Sequence, residues 1–367
     1  MRESVDNMLQ TCRNGVVPDY LFMDVLKDEV LPNESVDRGK ARLVSASPID
    51  ATIVGRILFG MFNADWMSGR IINCSAVGIN VYSEWDLLYR ELTSVGKDNC
   101  IAGDYSRYDG SHRVEIFDIF VDRVNEYYQM SSDHDPRDDI ARKMYVRSLS
   151  NSNHIRGSSI CRWDRGMPSG CPITTIANTF IGICLTQSAF LAEGVSRNFK
   201  VNDLLNDFNN YVRHIQYGDD DLTVVHDRVA WFNQEVKTSR LAELDYIYTD
   251  DNKGVNTFKF RQISDVNFLK RHFRFDPDFN LVVGPLSLDS AIQKPLYWVQ
   301  RGLQSESIPY TNIARVLMEL SLHGKDRFDE YASNLLRIAD EAGYPPRYRS
   351  WSANFKFSLG QDYLWWA

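Results

Sequence analysis

The strongest constraint on this chain is an acidic turn set between two apolar segments. The run Tyr211 to Val225 is apolar on both sides of Gly218-Asp219, a pattern that predicts two strands joined by a tight turn. Gly218 supplies the positive φ that such a turn requires. Asp219 and Asp220 are then expected to project from the turn tip toward one place.

Two carboxylates at one turn tip repel each other, by about 4 kcal/mol at a separation of about 4 Å and an effective dielectric of about 20. Strands this apolar would stabilise the tip poorly without a cation. Because Mg²⁺ takes one or two carboxylates together with substrate phosphates, the turn is a candidate metal site. An acidic turn exposed to water is the competing interpretation for Gly-Asp-Asp alone.

A second acidic stretch favours the metal site. Asn99 to Gly103 is a short apolar run that ends in Asp104, and we expect a buried strand there. An aspartate at the end of a strand beside the acidic hairpin would complete a metal cage. Asp109 falls at the start of the next helix, where it either caps backbone N–H groups or hydrogen-bonds a substrate hydroxyl.

The third stretch is a glycine- and proline-rich loop, 166–173, that leads into a helix. Thr174 and Asn178 are four residues apart and share one helix face. Ordinary capping by Ser169 or Thr174, with Asn178 as a core amide, is the alternative interpretation. The apolar run that follows, Ile173 to Ala192, is interrupted by polar residues, so we predict a core helix and no transmembrane segment.

Composition excludes several classes of protein but does not identify this one. The six cysteines form no C-x-x-C pair, which argues against a disulfide framework or a zinc site. The net charge of −8 by itself argues against a nucleic-acid partner, since such partners usually meet basic surface. Mixed α/β patterning in the middle and helical patterning from Leu288 onward predict an α+β core with a helical domain.

Taken together, in this order and spacing, these stretches resemble the RNA-dependent RNA polymerases of picorna-like positive-strand viruses, of the dicistrovirus and picornavirus kind. Six family motifs have counterparts here: motif A at Asp104 to Asp109, motif B at 166–178, motif C at Tyr217 to Asp220, motif D around Lys253, motif E at Phe268 to Arg271, and motif F at Lys27 to Glu29 with Gly39 to Leu43.

The resemblance implies a right-hand polymerase fold with partial fingers, an antiparallel-sheet palm and a helical thumb. It places partial fingers at 1–60, palm at 61–110, a fingers insertion at 111–165, palm again at 166–278, and thumb at 279–367. Relatives carry a longer segment before the motif F lysine, so we expect the chain to be N-terminally incomplete, as a fragment or a segment of a polyprotein.

The resemblance also implies template-directed RNA synthesis from NTPs, with Mg²⁺ or Mn²⁺ in a two-metal site. The residues it assigns fall into five groups. They are Asp104, Asp219 and Asp220 for the metals; Asp109, Ser169, Thr174 and Asn178 for the ribose; Lys27, Lys40 and Arg42 for the triphosphate; Lys253 as the acid for pyrophosphate, with Lys237 and Lys259 as alternatives; and Lys270 and Arg271 for the primer. Asp221 is expected to point off the turn without a role.

The partners implied are an RNA template and primer, NTPs, a small protein primer and other viral replication proteins. The implied location is the host cytoplasm, at membrane-associated replication complexes. Two other hypotheses stay open. A reverse transcriptase usually carries another residue where Gly218 stands. A non-catalytic polymerase-like fragment that only binds RNA or partner proteins is supported by the short N-terminus.

Overall fold

The computed structural model describes residues 1–29, 31, 33–250, 258–297 and 307–360. The helices in the described ranges are α1 (Arg2–Arg13), α2 (Asn33–Asp37), α3 (Ile49–Ser68), α4 (Trp85–Thr93), α5 (Tyr108–Ser111), α6 (Val114–Gln129), α7 (Pro136–Ser150), α8 (Thr174–Ser196), α9 (Val201–Tyr211), α10 (Gln234–Ala242), α11 (Leu288–Tyr297), α12 (Ser307–Ser321), α13 (Lys325–Glu341) and α14 (Trp351–Ser358).

The strands are β1 (Leu21–Leu26), β2 (Leu43–Ala46), β3 (Cys100–Ser106), β4 (Asn153–Arg156), β5 (Ser159–Arg162), β6 (Val212–Tyr217), β7 (Asp220–Val225), β8 (Ile247–Asp250), β9 (Arg274–Asp276) and β10 (Leu281–Val283). One four-stranded sheet has the order β6-β7-β3-β8 and a second has the order β2-β1-β4-β5. The α+β class predicted from sequence is confirmed by this mixture of helices and mainly antiparallel strand pairs.

The sheet β6-β7-β3-β8 carries the acidic motifs. Its hairpin pairs Tyr217 with Asp220, and Asp104 lies opposite Thr249 on the neighbouring strand pair β3–β8. The predicted strand–turn–strand around Gly218 is therefore confirmed. Strand β3 continues past Asp104 to Ser106, so this aspartate lies within the strand and not at its end as predicted.

Helix α8 supports this sheet from one face. By length and composition it could cross a membrane, but 67% of its most apolar window is buried inside the protein. Its apolar residues join those of α3, α6 and α7 in the largest buried cluster. The predicted core helix is confirmed, because the apolar run is used for packing against other helices and the sheet.

The chain divides into two compact units, Met1–Gly78 with Ile101–Phe260, and Ile79–Cys100 with Arg261–Ala367. The segment predicted as palm at 61–110 is thus divided, and α4 groups with the C-terminal elements. The reason is visible at Trp85, which is fully buried and stacks on Phe273. Its indole N–H donates to the carbonyl of His272 at 3.1 Å.

Local patterns predicted most of the long elements. Helical spacing of apolar residues at 47–62, 83–92 and 111–130 predicts helices that correspond to α3, α4 and α6, and the core helix predicted after residue 173 corresponds to α8. Alternation on both sides of Asp276 predicts a hairpin, which corresponds to β9–β10. Helices α1, α2, α7, α9 and α10 were not predicted. Of these, α2 lies in the stretch 27–42, where dense charge of both signs obscures the apolar periodicity.

Candidate active site

The acidic turn has the geometry that its glycine predicts. Gly218 has φ of +60° and no other atom near the position a Cβ would take. Of the two central residues of the turn, Gly218 alone has positive φ, as in hairpin turns with glycine at the first central position. Asp219 occupies the second central position, and Asp220 begins β7.

Two side chains that the sequence did not single out hold this turn. The backbone N–H of Gly218 donates to Thr179 Oγ1 at 2.9 Å, and Gln216 Nε2 donates to the Gly218 carbonyl at 2.8 Å. Thr179 lies on α8, one residue after Asn178. Both backbone groups of Gly218, its N–H and its carbonyl, are therefore hydrogen-bonded, and these bonds hold the turn that carries Asp219.

Asp219 shares its surroundings with Asp104. Burial raises the pKa of Asp219 above its ordinary value, repulsion from the Asp104 carboxylate raises it further, and the positive charge of Arg42 opposes both. A carboxyl pKa rises where burial and like charge disfavour the charged form. A cation bound beside Asp219 would stabilise its carboxylate and lower that pKa. The oxygen-only donors of Asp104, Asp219 and Asp220 suit a hard divalent cation.

In the described residues, no three acidic, histidine or cysteine side chains already converge as a metal cluster. The raised pKa of Asp219 and the carboxylate chemistry of the neighbouring residues fit a divalent metal.

Asp109 and Asn178, predicted together as ribose-sensing residues, are in direct contact. Asn178 Nδ2 donates to Asp109 Oδ1 at 2.6 Å. The Tyr108 hydroxyl donates to the backbone carbonyl of Asn178 at 2.8 Å. Burial raises the pKa of Asp109, the negative charge of Asp219 adds to the rise, and the Asn178 hydrogen bond opposes it. The candidate ribose and metal groups thus belong to one electrostatic environment.

The loop that bears Ser169 is held by its backbone. The N–H of Met167 donates to the carbonyl of Asp109 at 2.8 Å, and Thr174 Oγ1 donates to the carbonyl of Pro168 at 3.0 Å. The N–H of Ser45, on β2, donates to the carbonyl of Ser169 at 2.7 Å. Thr174 therefore stabilises the loop from within, and Ser45 fixes the position of Ser169.

A buried carboxylate, Asp24, which no sequence motif singles out, anchors Ser45 in turn. Ser45 Oγ donates to Asp24 Oδ1 at 2.7 Å, and His154 Nδ1 lies 2.8 Å from the same oxygen. The side chains of Asp24 and His154 are fully buried, and Trp163 stacks on the imidazole. These contacts join β1, β2 and β4 beneath the Ser169 loop.

The predicted triphosphate residues lie on either side of a short helical connection. Arg42 forms an ion pair with Glu29, with Nε donating to Oε1 at 2.9 Å, and the N–H of Lys27 donates to the carbonyl of Arg42. Arg42 is close enough to act on the pKa of Asp219. Lys27 and Lys40 are exposed. Of these three cations, Arg42 has the clearest connection to the metal site.

Asp221 does not point off the turn, as the sequence predicted. It points into the protein, where it is buried and forms an ion pair with Lys237 on α10, and the Tyr248 hydroxyl donates to it at 2.7 Å. Strand alternation explains the placement, since neighbours of Asp220 on β7 point to the opposite face. Lys237, considered as an alternative acid, is fully buried in this pair and is not available to pyrophosphate.

The structure gives a different outcome for each of Lys253, Lys270 and Arg271. Lys253 lies outside the described residues. Lys270 is exposed, as a phosphate contact requires. Arg271 is at odds with its predicted phosphate contact, because its side chain is buried in an ion pair with Glu319 at 2.7 Å and also donates to the Gly284 carbonyl at 2.5 Å.

Comparisons of sequence and structure find viral proteins that are similar to this chain. The model of the viral RNA-dependent RNA polymerase family matches residues 3–340. The replicase polyprotein of acute bee paralysis virus is 34% identical over 349 residues, covering 93% of this chain and 18% of that polyprotein. The replicase polyprotein of Drosophila C virus is 31% identical over 346 residues, covering 92% of this chain and 19% of its own length.

A solved structure shows the same fold. The Sicinivirus 3Dpol RNA-dependent RNA polymerase superposes with a TM-score of 0.79 at 23% sequence identity, covering 97% of this chain and 70% of that one. The chain spans about a fifth of the length of the replicase polyproteins it matches. The match to 3Dpol supports the right-hand polymerase fold predicted from sequence.

Proposed function

The chain belongs to the viral RNA-dependent RNA polymerase family, and from that premise we propose that it synthesises RNA on an RNA template from NTPs during viral genome replication. One observation carries the proposal. Asp104 on β3 and Asp220 on β7 lie on neighbouring strands of one sheet, while Asp109 is hydrogen-bonded to Asn178 and its pKa is raised in part by the charge of Asp219.

The metal positions are proposed for Asp104 and Asp219, with Asp220 in support. Two divalent ions, Mg²⁺ or Mn²⁺, would supply activation of the primer 3′-hydroxyl and stabilisation of charge on the leaving phosphates. The chain's own contribution is placement. β3 and the β6–β7 hairpin hold the carboxylates on adjoining strands, and Thr179 with Gln216 fixes the turn between them.

Recognition of the incoming nucleotide is proposed for two groups. Asp109 and Asn178, with Ser169 and Thr174 on the adjoining loop, would receive the ribose hydroxyls. A site built to hydrogen-bond a hydroxyl rejects the analogue lacking it, because its own polar groups are then left unpaired. Arg42, with Lys27 and Lys40, would bind the triphosphate through charge-assisted hydrogen bonds, while Lys253 would protonate pyrophosphate and Lys270 would contact the primer.

Primer extension on an RNA template tests the proposal directly. We expect the parent chain to extend the primer with NTPs in Mg²⁺ or Mn²⁺, and Asp219→Ala to lose extension by a factor of about 10² or more, in line with losses of single charge-stabilising groups. Asp122→Ala is the matched control, since it removes an exposed carboxylate from α6. Equal extension by Asp219→Ala and the control would refute the metal assignment.

Two alternatives are separated by the same assay. Preference for dNTPs over NTPs would identify a reverse transcriptase. Binding of RNA and divalent metal without extension would identify a non-catalytic polymerase-like fragment. The family membership of the chain and its hydrogen-bonded Asp109–Asn178 pair favour RNA synthesis over both.

The cellular setting is proposed on the resemblance to picorna-like polymerases alone. We propose that the polymerase acts in the host cytoplasm at membrane-associated replication complexes, with a small protein primer and other viral replication proteins as partners. Co-sedimentation of the chain with membranes from infected cells, and its loss from that fraction after detergent, is the expected result.

A further inference from the structure

A histidine with no assigned role lies against the candidate ribose residues. His112 follows α5, and its side chain is fully buried. Its ring contacts Tyr108 and Phe117 edge-on, at centroid distances of 4.4 and 5.7 Å. Its carbonyl accepts the N–H of Gly166, at the start of the Ser169 loop. The ring is therefore held in one orientation by its neighbours.

One ring nitrogen of His112 is hydrogen-bonded and the other is not. Nδ1 lies 3.0 Å from the Tyr246 hydroxyl. Among the described residues, neither His112 Nε2 nor Asn178 Oδ1 has a partner within hydrogen-bond geometry, and both atoms are buried. Buried polar atoms normally find a partner. Asn178 is near enough to His112 to act on its pKa, and its Oδ1, an acceptor, would complement Nε2 if the ring carries its proton there.

The charge state of His112 supports this pairing. Burial lowers the pKa of His112 to about 3, and the Asn178 side chain opposes the shift, as an acceptor close to the ring would. The imidazole is therefore neutral at physiological pH and carries a proton on only one nitrogen. If the Tyr246 hydroxyl donates to Nδ1, that proton resides on Nε2 and faces Asn178.

The orientation of the Asn178 amide depends on this arrangement. An amide presents a donor at one end and an acceptor at the other, and the two ends exchange when it flips. Asn178 Nδ2 faces the Asp109 carboxylate at 2.6 Å. A hydrogen bond donated by a neighbouring group to Oδ1, at the opposite end of the amide, would lock that orientation. Without it, the flipped amide would place Oδ1 against the carboxylate.

We propose that His112 and Tyr246 are positioning residues for ribose recognition, acting through a relay from the Tyr246 hydroxyl to His112 Nδ1, from His112 Nε2–H to Asn178 Oδ1, and from Asn178 Nδ2–H to Asp109. The inference rests on the proposed RNA synthesis, because its consequence is discrimination between NTPs and dNTPs. Neither residue touches the nucleotide. The relay keeps Asp109 and Asn178 in the orientation that receives the 2′-hydroxyl.

The kinetic test compares kcat/KM for one NTP and its 2′-deoxy analogue on the same primer–template. We expect His112→Leu to reduce the NTP/dNTP ratio about tenfold, the equivalent of one lost buried hydrogen bond. Tyr246→Phe should reduce it less. His112→Gln, which keeps an N–H near the Nε2 position, should restore most of the ratio. His226→Leu, the same replacement at an exposed histidine, is the control.

A purely structural role for His112 would lower NTP and dNTP incorporation by the same factor and leave the ratio unchanged, which would overturn the relay. Histidine ¹⁵N NMR of the metal-free parent provides a readout that needs no catalysis, with His112→Gln identifying the resonance. We expect the Nε2–H tautomer, and a shift in tautomer population in Tyr246→Phe. A dominant Nδ1–H tautomer would refute the proposal even if the chain extended no primer.

Discussion

Lys237 and Asp221 form an ion pair in which both side chains are fully buried, one residue beyond the candidate metal ligand Asp220. The pair connects α10 to β7, and Lys237 Nζ also donates to Thr223 Oγ1 at 3.3 Å. Burial raises the pKa of Asp221 and lowers that of Lys237. Desolvation therefore outweighs attraction for both partners.

This balance predicts opposite results for single and double replacements. Lys237→Met leaves a buried carboxylate unpaired and should lower the free energy of unfolding by about 3–5 kcal/mol. Asp221→Leu combined with Lys237→Met removes both charges, and we expect it to recover most of that loss. Urea unfolding measures both. A cost below about 1 kcal/mol for Lys237→Met would show that the pair contributes little to the stability of the sheet β6-β7-β3-β8.

The same pair illustrates what the sequence could and could not predict. The apolar runs around Gly218 predicted the hairpin, and the family motifs predicted that Asp109 and Asn178 act together, as their hydrogen bond shows, because each depends on local periodicity or on a family motif. Nothing local pairs Asp221 with Lys237, sixteen residues later, and Asp221 was accordingly assigned no role.

Arg271 shows the same limit from the opposite direction. Its position in the motif E stretch predicted a phosphate contact, yet its guanidinium is paired with Glu319, forty-eight residues later. A sequence motif locates a residue on an element, whereas a distant tertiary partner decides whether its charge is exposed. Thr179 was missed for the same reason, since it acts on the turn from α8. Gln216 lies only two residues before Gly218 on β6, and no sequence pattern indicated that its side chain bonds the turn.

Because the pKa of Asp219 is raised, we expect removal of its negative charge to stabilise the protein, by an amount that depends on pH. A carboxyl whose folded pKa lies above its ordinary value of 3.8 stabilises the fold at low pH, and that stability is lost as the pH rises through the raised pKa. In metal-free protein we therefore expect Asp219→Asn to unfold at a higher temperature than the parent at neutral pH.

The difference between Asp219→Asn and the parent should vanish below the ordinary aspartate pKa, where both side chains are neutral. Mg²⁺ should stabilise the parent at neutral pH by mass action and stabilise Asp219→Asn less. Thermal unfolding across pH, with and without Mg²⁺, measures all three. A parent that is more stable than Asp219→Asn in metal-free buffer at neutral pH would contradict the predicted repulsion.

The close packing of Gly182 predicts a steric effect on the β6–β7 hairpin. A Cβ at this position of α8 would overlap the side-chain amide of Gln216, which is fully buried and donates to the Gly218 carbonyl. Gly182→Ala should therefore displace that hydrogen bond, cost about 1–3 kcal/mol, and reduce primer extension more than RNA binding.

Gly60→Ala is the matched control for this change. Gly60 lies inside α3 with no atom near the position of a Cβ, so alanine there should raise stability by about 0.5–1 kcal/mol through helix propensity. Chemical unfolding and extension assays on both variants test the contrast. Stabilisation by Gly182→Ala comparable to that by Gly60→Ala would show that α8 and β6 are not in close contact.

Asp24 provides a prediction for the support beneath the Ser169 loop. Burial raises the pKa of Asp24, but hydrogen bonds from Ser45 and His154 outweigh it, and the net shift is downward. Asp24→Asn replaces a carboxylate oxygen, which accepts, by an amide nitrogen, which donates, although the neighbouring groups are themselves donors. We expect the free energy of unfolding to fall by about 1–3 kcal/mol at neutral pH. Because Ser45 holds the Ser169 carbonyl, we also expect KM for NTP to rise.

The sign of the pH dependence is the reverse of that at Asp219. A carboxyl with a lowered folded pKa contributes stability above its ordinary value of 3.8 and loses it as the pH falls through the lowered value. The deficit of Asp24→Asn relative to the parent should therefore shrink in acid. Asp37→Asn, at an exposed position of α2, is the control. A deficit that stays constant from neutral to acid pH would show that the Asp24 charge does not hold the network together.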